Sequence, residues 1–186
     1  HLFGKDLNTD VVIIAEIGVN HEGDPAVARK MLHQAHEAGA DAVKFQTYTP
    51  ERFVGTNDPA RLERVRGFAL SDTVLRELAA EAKTLGITMF SAAISEDKIP
   101  LLAELFPVIK IASGDLDFEP AIRGAAASGL PTIVSTGLGI NAEIDQAIAW
   151  FQDESGLDDV RERLHLMHCV TAYPTPIEEA NVLAVP

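Results

Sequence analysis

Three times in this chain a segment with helical spacing ends at a glycine and passes within a few residues into a short apolar run: HEAGADAVKF, AEAKTLGITMF and AASGLPTIV. A glycine closes a helix by taking positive φ, and a link this short sends the chain straight into its next strand. The runs VVIIAEIG (11–18), DAVKFQ (41–46), ITMFSAA (87–93), PVIKIAS (107–113), PTIVSTG (131–137) and LHLMHCV (164–170) are short and β-branched, and read as buried strands. Between them DPAVARKMLHQAHEAG, SDTVLRELAAEAKTLG and NAEIDQAIAWFQDESG read as helices. Strands alternating with helices through tight links require βαβ crossovers and parallel pairing, so the fold class is α/β with about six βα units.

Two architectures satisfy that pattern, an open doubly wound sheet and a (β/α)8 TIM barrel. The fingerprint GxGxxG is absent after the first strand, while polar residues stand at the C-terminal ends of nearly every strand, where a barrel gathers its active site. The barrel is the favoured reading. A full barrel takes about 250 residues, whereas this chain has 186 and reaches NVLAVP after its sixth unit. With His1 where an initiator methionine is expected, residues 1–186 read as the N-terminal part of a barrel, trimmed or partly observed. The stretch TYTPERFVGTNDPARLERVRGF is the longest irregular region and reads as a mobile rim loop.

Composition narrows the function. Apolar residues make up 47%, enough for a real core, yet no run approaches the roughly 18 residues of a membrane helix and no secretory layout opens the chain. A cytoplasmic protein without a membrane partner is expected. The formal charge of −13 repels phosphate backbones, so nucleic acid is excluded as a partner class. The single cysteine, Cys169, cannot form an internal disulfide and in LMHCV reads as a packed thiol.

In such an acidic chain a lysine inside an apolar strand needs a local reason. Side chains alternate along a strand, so Glu16 shares a face with Val12 and Ile14, Lys44 and Gln46 share one with Ala42, and Lys110 shares one with Val108 and Ala112. Two lysines and a glutamate are thereby expected to converge on one cavity. One reading is structural, a buried Glu16–Lys44 bridge. A second is an anion site in which Lys44 and Lys110 are joined by Ser113 and Ser135 and by the glycine turns SGD and STGLG. A third makes Lys110 a Schiff-base nucleophile.

Among the histidines, His33 and His36 fall beside Arg29 on a solvated face of the first helix rather than forming a metal site. His168 shares a face with Leu166 and Val170, either polarising a substrate or bonded within the core. His21 follows the first strand and either touches substrate or caps the next helix. The prolines of TAYPTP hold an extended loop that projects Tyr173 over the strand ends or packs it on the rim.

The fragments IIAEIGVNHEGD, GADAVKFQ, KIASGD, IVSTG and MHCVTAYPTP, in this order along successive strands, resemble the sialic acid synthase family, which includes N-acetylneuraminate, legionaminic, pseudaminic and spore-coat sugar synthases. The resemblance implies a (β/α)8 barrel that condenses phosphoenolpyruvate with an N-acylmannosamine-type sugar, giving a nine-carbon 2-keto acid and phosphate. It implies Glu16, Lys44 and Lys110 as the catalytic set. Lys44, Lys110, Ser113, Ser135 and Thr171 would bind phosphoenolpyruvate; Glu16, Gln46 and Tyr173 would lie near the sugar. It also implies Mn2+ or Mg2+ held by histidines beyond Pro186, a C-terminal antifreeze-like domain and a homodimer for the full-length protein. The chain as given is then expected to lack its metal site and to be inactive alone. Three positions depart from the family pattern: Ala92 in SAAIS replaces a hydroxyl expected near the phosphate, Asp115 stands where glutamate is common, and Thr171 where some members have asparagine.

Overall fold

The computed structural model describes residues 2–185; His1 and Pro186 lie outside the described residues. The chain is an α/β protein whose strands alternate with helices, and it divides into two compact units between Phe106 and Pro107. Among the described residues no helix is long and apolar enough to cross a membrane.

The first unit runs β1 (Ile14–Gly18), α1 (Pro25–Glu37), β2 (Ala42–Thr47), α2 (Pro50–Phe53), α3 (Pro59–Phe68), α4 (Asp72–Leu85), β3 (Thr88–Ala93) and α5 (Ile99–Leu105). Its strands pair in parallel in the order β1-β2-β3. Helix α1 starts where the Asp24 carboxylate accepts the Ala26 and Val27 amides, with Pro25 in the first turn, and it buries Ala28, Leu32 and Ala35. Ser71 caps α4 in the same way, and Leu75, Leu78 and Ala82 line its buried face. Gly86 then ends α4 at φ 81°, a left-handed conformation that a side chain would strain, and Ile87 leads directly into β3.

Two expectations are corrected here. The first strand does not begin at Val11: β1 starts at Ile14, and Val11 and Ile13 are 74% and 57% exposed. The backbone before it is held partly by side chains, since the Asp41 carboxylate accepts the Ile13 amide and Lys5 donates to the Val11 carbonyl, while the Ile13 carbonyl accepts the Asp41 amide. Nor is the stretch from Thr47 to Phe68 an irregular loop. It holds α2 and α3, each opened by a proline, folded over a small core of Tyr48, Val54, Leu62 and Val65 with the Tyr48 hydroxyl donating to the Val65 carbonyl. Helices this short draw their stability from that packing rather than from propensity.

The second unit runs β4 (Ile109–Ile111), a 3-10 turn (Ser113–Asp115), α6 (Glu119–Ala127), β5 (Thr132–Ser135), α7 (Asn141–Ser155) and β6 (Leu164–Met167), followed by 3-10 turns at Ile177–Glu179 and Val182–Ala184. These strands also pair in parallel, β4 with β5 and β5 with β6. Helix α6 buries Ala121, Ile122, Ala125 and Ala126, α7 buries Ala147 and Phe151, and Arg123 ties the two helices through Glu119 and Asp153. The strands are shorter than the apolar runs suggest. In β6 Leu166 and Met167 are exposed, correcting the reading of a fully buried strand, because β6 pairs only with β5 among the described residues.

Candidate active site

Each unit presents polar side chains at the C-terminal ends of its strands. In the first, Glu16 of β1 stands opposite Lys44 of β2, but the next pair is Gly18 with Phe45, so Ile17 is an extra residue and the strand bulges. Bulges re-aim side chains at strand ends. Gly18 takes φ 58°, and a Cβ there would lie 3.0 Å from Glu16 Oε1 and 3.5 Å from Gln46 Nε2; the carboxylate and the amide therefore flank a bare glycine. Lys44 Nζ donates to Glu16 Oε2 at 2.6 Å, with side-chain exposures of 14% and 50%. The bridge foreseen as a structural alternative is thus present. It is lopsided: the ammonium is sheltered while the carboxylate stays open to an arriving group.

Gln46 pairs with Ala92 in the β2–β3 register, and Ala92 is buried. The neighbouring Ser91 hydroxyl does not replace the missing one, because it bonds Thr47 Oγ1 at 2.7 Å on the opposite strand face.

His21 is corrected on both of its readings. The ring is 1% exposed, and Asp24, not His21, caps α1. Its Nδ1 accepts the Gly23 amide at 3.0 Å, which leaves the ring proton on Nε2, buried without a hydrogen bond of ordinary geometry. Burial holds its pKa below the usual histidine value, with the Gly18 carbonyl acting weakly in the other direction. His33 is not simply solvated either. Its Nε2 meets Glu81 Oε1 of α4 at 2.6 Å, beside Arg29 on the same carboxylate, while His36 is exposed. Among the described residues no three histidine, cysteine, aspartate or glutamate side chains gather to hold a metal ion, so the residues present do not fit one.

In the second unit Lys110 is 4% exposed in the middle of β4. Its Nζ donates to Ser135 Oγ and to the Ile111 carbonyl, both at 2.6 Å. Ser135 lies two residues beyond Ile133, the β5 partner of Lys110, and so shares its face. Just past the strands, Ser113 Oγ accepts the Gly137 amide at 3.1 Å, and the Thr171 hydroxyl donates to the Gly137 carbonyl. Asp115, on the turn after β4, has its carboxyl pushed up to about 6 by burial and by the nearby negative charge of Asp117, against the pull of Lys110.

The remaining rim residues separate. His168 lies beyond the end of β6, exposed, its Nε2 bonded to the Ala180 carbonyl; neither a core bond nor a place on the buried strand face survives. Tyr173 is 95% exposed in its loop, so it projects and does not pack. A cleft of about 240 Å³ beside Ser113 is lined also by Leu116, Asp117, Leu138 and Glu143. Sequence reasoning missed the grip on Gly137 and the perturbed Asp115. Only the turn residues of STG and SGD signalled them.

The chain is 32% identical over 188 residues to N,N'-diacetyllegionaminic acid synthase of Campylobacter jejuni, covering 94% of this chain and 55% of that protein. It is 34% identical over 197 residues to the pseudaminic acid synthase of another Campylobacter jejuni strain, covering 97% and 56%. It therefore spans about half the length of the curated relatives it matches. Among solved structures, the N-acetylneuraminic acid (sialic acid) synthetase of Leptospira borgpetersenii superposes with a TM-score of 0.87 at 31% identity, covering 96% of this chain and 60% of that one. Residues 31–186 match the NeuB family model, and the chain belongs to the NeuB family.

Proposed function

We propose that this chain carries the phosphoenolpyruvate-handling part of a sialic-type acid synthase built on a (β/α)8 barrel. The observation that carries the reading is Lys110, an ammonium 4% exposed in an acidic protein and held 2.6 Å from a serine hydroxyl at the neighbouring strand end. A sheltered ammonium beside a serine hydroxyl favours an anionic ligand, and phosphoenolpyruvate is the anion proposed to meet it. Lys110 with Ser113 and Ser135 is assigned to the phosphate by the family resemblance, which gives Lys44 a donor-binding role and Glu16 and Gln46 a role toward the sugar.

In the reaction, C3 of the enol attacks the aldehyde carbon of the open-chain sugar, water adds at C2, and the C2–O bond to phosphate breaks, leaving a 2-keto acid. Lys110 neutralises the phosphate of the donor so that it can approach, and in the first unit Glu16, hydrogen-bonded to Lys44, orients or takes a proton from a sugar hydroxyl. The acceptor is a 2-acylamino or 2,4-diacylamino sugar, as the products of the relatives suggest. The Schiff-base alternative is disfavoured because Lys110 is engaged as a donor to two acceptors, a state that suits a cation and not a free amine lone pair.

The test is phosphate release by the full-length protein supplied with phosphoenolpyruvate and a panel of N-acylmannosamine-type sugars. Lys110→Met is expected to lower kcat/KM at least 100-fold. Borohydride reduction with pyruvate that left added mass on Lys110 would overturn the reading in favour of the aldolase.

A further inference from the structure

We propose that Thr171 is a positioning residue: with Ser113 it clamps Gly137 between the ends of β4, β5 and β6, and so aims the Ser113 hydroxyl at the anion held by Lys110. The inference rests on the anion-site reading above and reassigns Thr171 from ligand to clamp. The argument is one of hydrogen-bond polarity. A hydroxyl has one proton to donate and two lone pairs. Thr171 gives its proton to the Gly137 carbonyl, so what it has left to present is lone pairs, which an anion avoids. Ser113 does the reverse. Its Oγ accepts the Gly137 amide at 3.1 Å, which leaves its own proton available to donate.

Gly137 is thus held at both its N–H and its C=O by side chains from the two flanking strand ends. The space around it is closed as well. A Cβ built on Gly137 would stand 3.0 Å from each of Ser113 Oγ, Thr171 Oγ1 and Cys169 Cβ, tighter than side chains ordinarily pack. Glycine is required here by space rather than by backbone conformation. The Cβ of Cys169, the chain's only cysteine, is among the atoms that close this space, so loosening the grip is expected to expose its thiol.

The experiment uses the full chain and four proteins: wild type, Thr171→Val, Thr171→Ser and Gly137→Ala. Phosphoenolpyruvate binding is measured by calorimetry with inorganic phosphate as a second probe, and Cys169 alkylation by the rate of iodoacetamide labelling. Thr171→Val and Gly137→Ala are expected to weaken phosphoenolpyruvate about tenfold, the worth of one well-placed hydrogen bond. Both are expected to speed alkylation of the unliganded protein, and Thr171→Ser to stay within about twofold of wild type on both readouts. If wild type binds neither probe, the anion-site reading beneath the inference fails. If wild type binds but Thr171→Val or Gly137→Ala binds as tightly, or Thr171→Ser is as weak as Thr171→Val, the clamp is wrong. Weaker binding by Thr171→Val with unchanged alkylation would make Thr171 a direct ligand and overturn the positioning role. Should Thr171→Val fail to fold, the Gly137→Ala and Thr171→Ser measurements decide alone.

Discussion

Asp115 shows how a site residue opposes the stability of its own fold. Its carboxyl is pushed up to about 6 from 3.8, first by burial and then by Asp117, with Lys110 recovering only part of the cost. A carboxyl raised in the folded state binds its proton more tightly there than in the unfolded chain. Its stabilising contribution is therefore complete below pH 3.8 and is lost as pH rises through about 6. At neutral pH the ionised carboxylate is a liability, worth up to about 3 kcal/mol from the difference between the two values and about 1–2 kcal/mol once partial exposure is discounted. Asp115→Asn keeps the shape and removes the charge. It is expected to raise stability by about 1–2 kcal/mol at pH 7.5, with the gain vanishing near pH 4, as read from urea unfolding at both pH values; an equal gain at both would mean that ionisation is not the cause. Such a liability is retained where a carboxyl is wanted for work, next to the ammonium proposed to hold the donor.

At the scale of elements, much of the architecture was legible because it is local. Helix α4 is written in its capping serine, its apolar spacing and its terminal glycine, and the apolar runs around Lys44 and Lys110 form the parallel strands β2 and β4. What the sequence hid depends on contacts between distant segments. Val11 and Ile13 are as apolar as any core residue, yet they stand exposed ahead of β1, where the Asp41 and Lys5 side chains bond the Ile13 amide and the Val11 carbonyl. The helices α2 and α3 were concealed because each is too short to show a period and exists through the Tyr48 core. His21 looked like a loop residue, and only the packed fold reveals that it is enclosed. The same region carries a sharp prediction. A Cβ on Gly23, which sits at φ 81°, would lie 1.9 Å from the Gly67 carbonyl oxygen at the end of α3. Gly23→Ala combines backbone strain with a collision that backbone must yield to, and is expected to cost about 2 kcal/mol or more. Urea unfolding measures that loss, and limited proteolysis within residues 55–58 should accelerate as α3 is pushed away. Gly114→Ala, where nothing lies within contact of an added Cβ, is the control and should stay near wild type.

For the molecule as a whole, two histidines contribute to how stability responds to mild acid. His21 and His165 both have pKa values held down by burial, one in each unit. A histidine lowered in the folded state contributes stability that is fully present above its unfolded value near 6.5 and is lost as pH falls through the folded value. Asp115 works in the opposite sense over pH 4 to 6 and offsets part of that loss. The carboxylates held low by ion pairs, such as Glu81 and Glu104, add nothing in this window, since their contributions disappear only below about pH 4.5. The two histidine terms and the Asp115 term act in opposite senses, so their sum in wild type is shallower than the histidine terms alone. Asp115→Asn removes the opposing term and is expected to steepen the decline between pH 6.5 and 4.5, whereas His165→Gln is expected to flatten it, because glutamine keeps a polar tip without a proton to gain. Urea midpoints taken every half pH unit from 7.5 to 4.5 compare the three slopes. Wild type and His165→Gln falling in parallel would show that protonation of His165 is not linked to unfolding, and the decline would then be assigned to His21 alone.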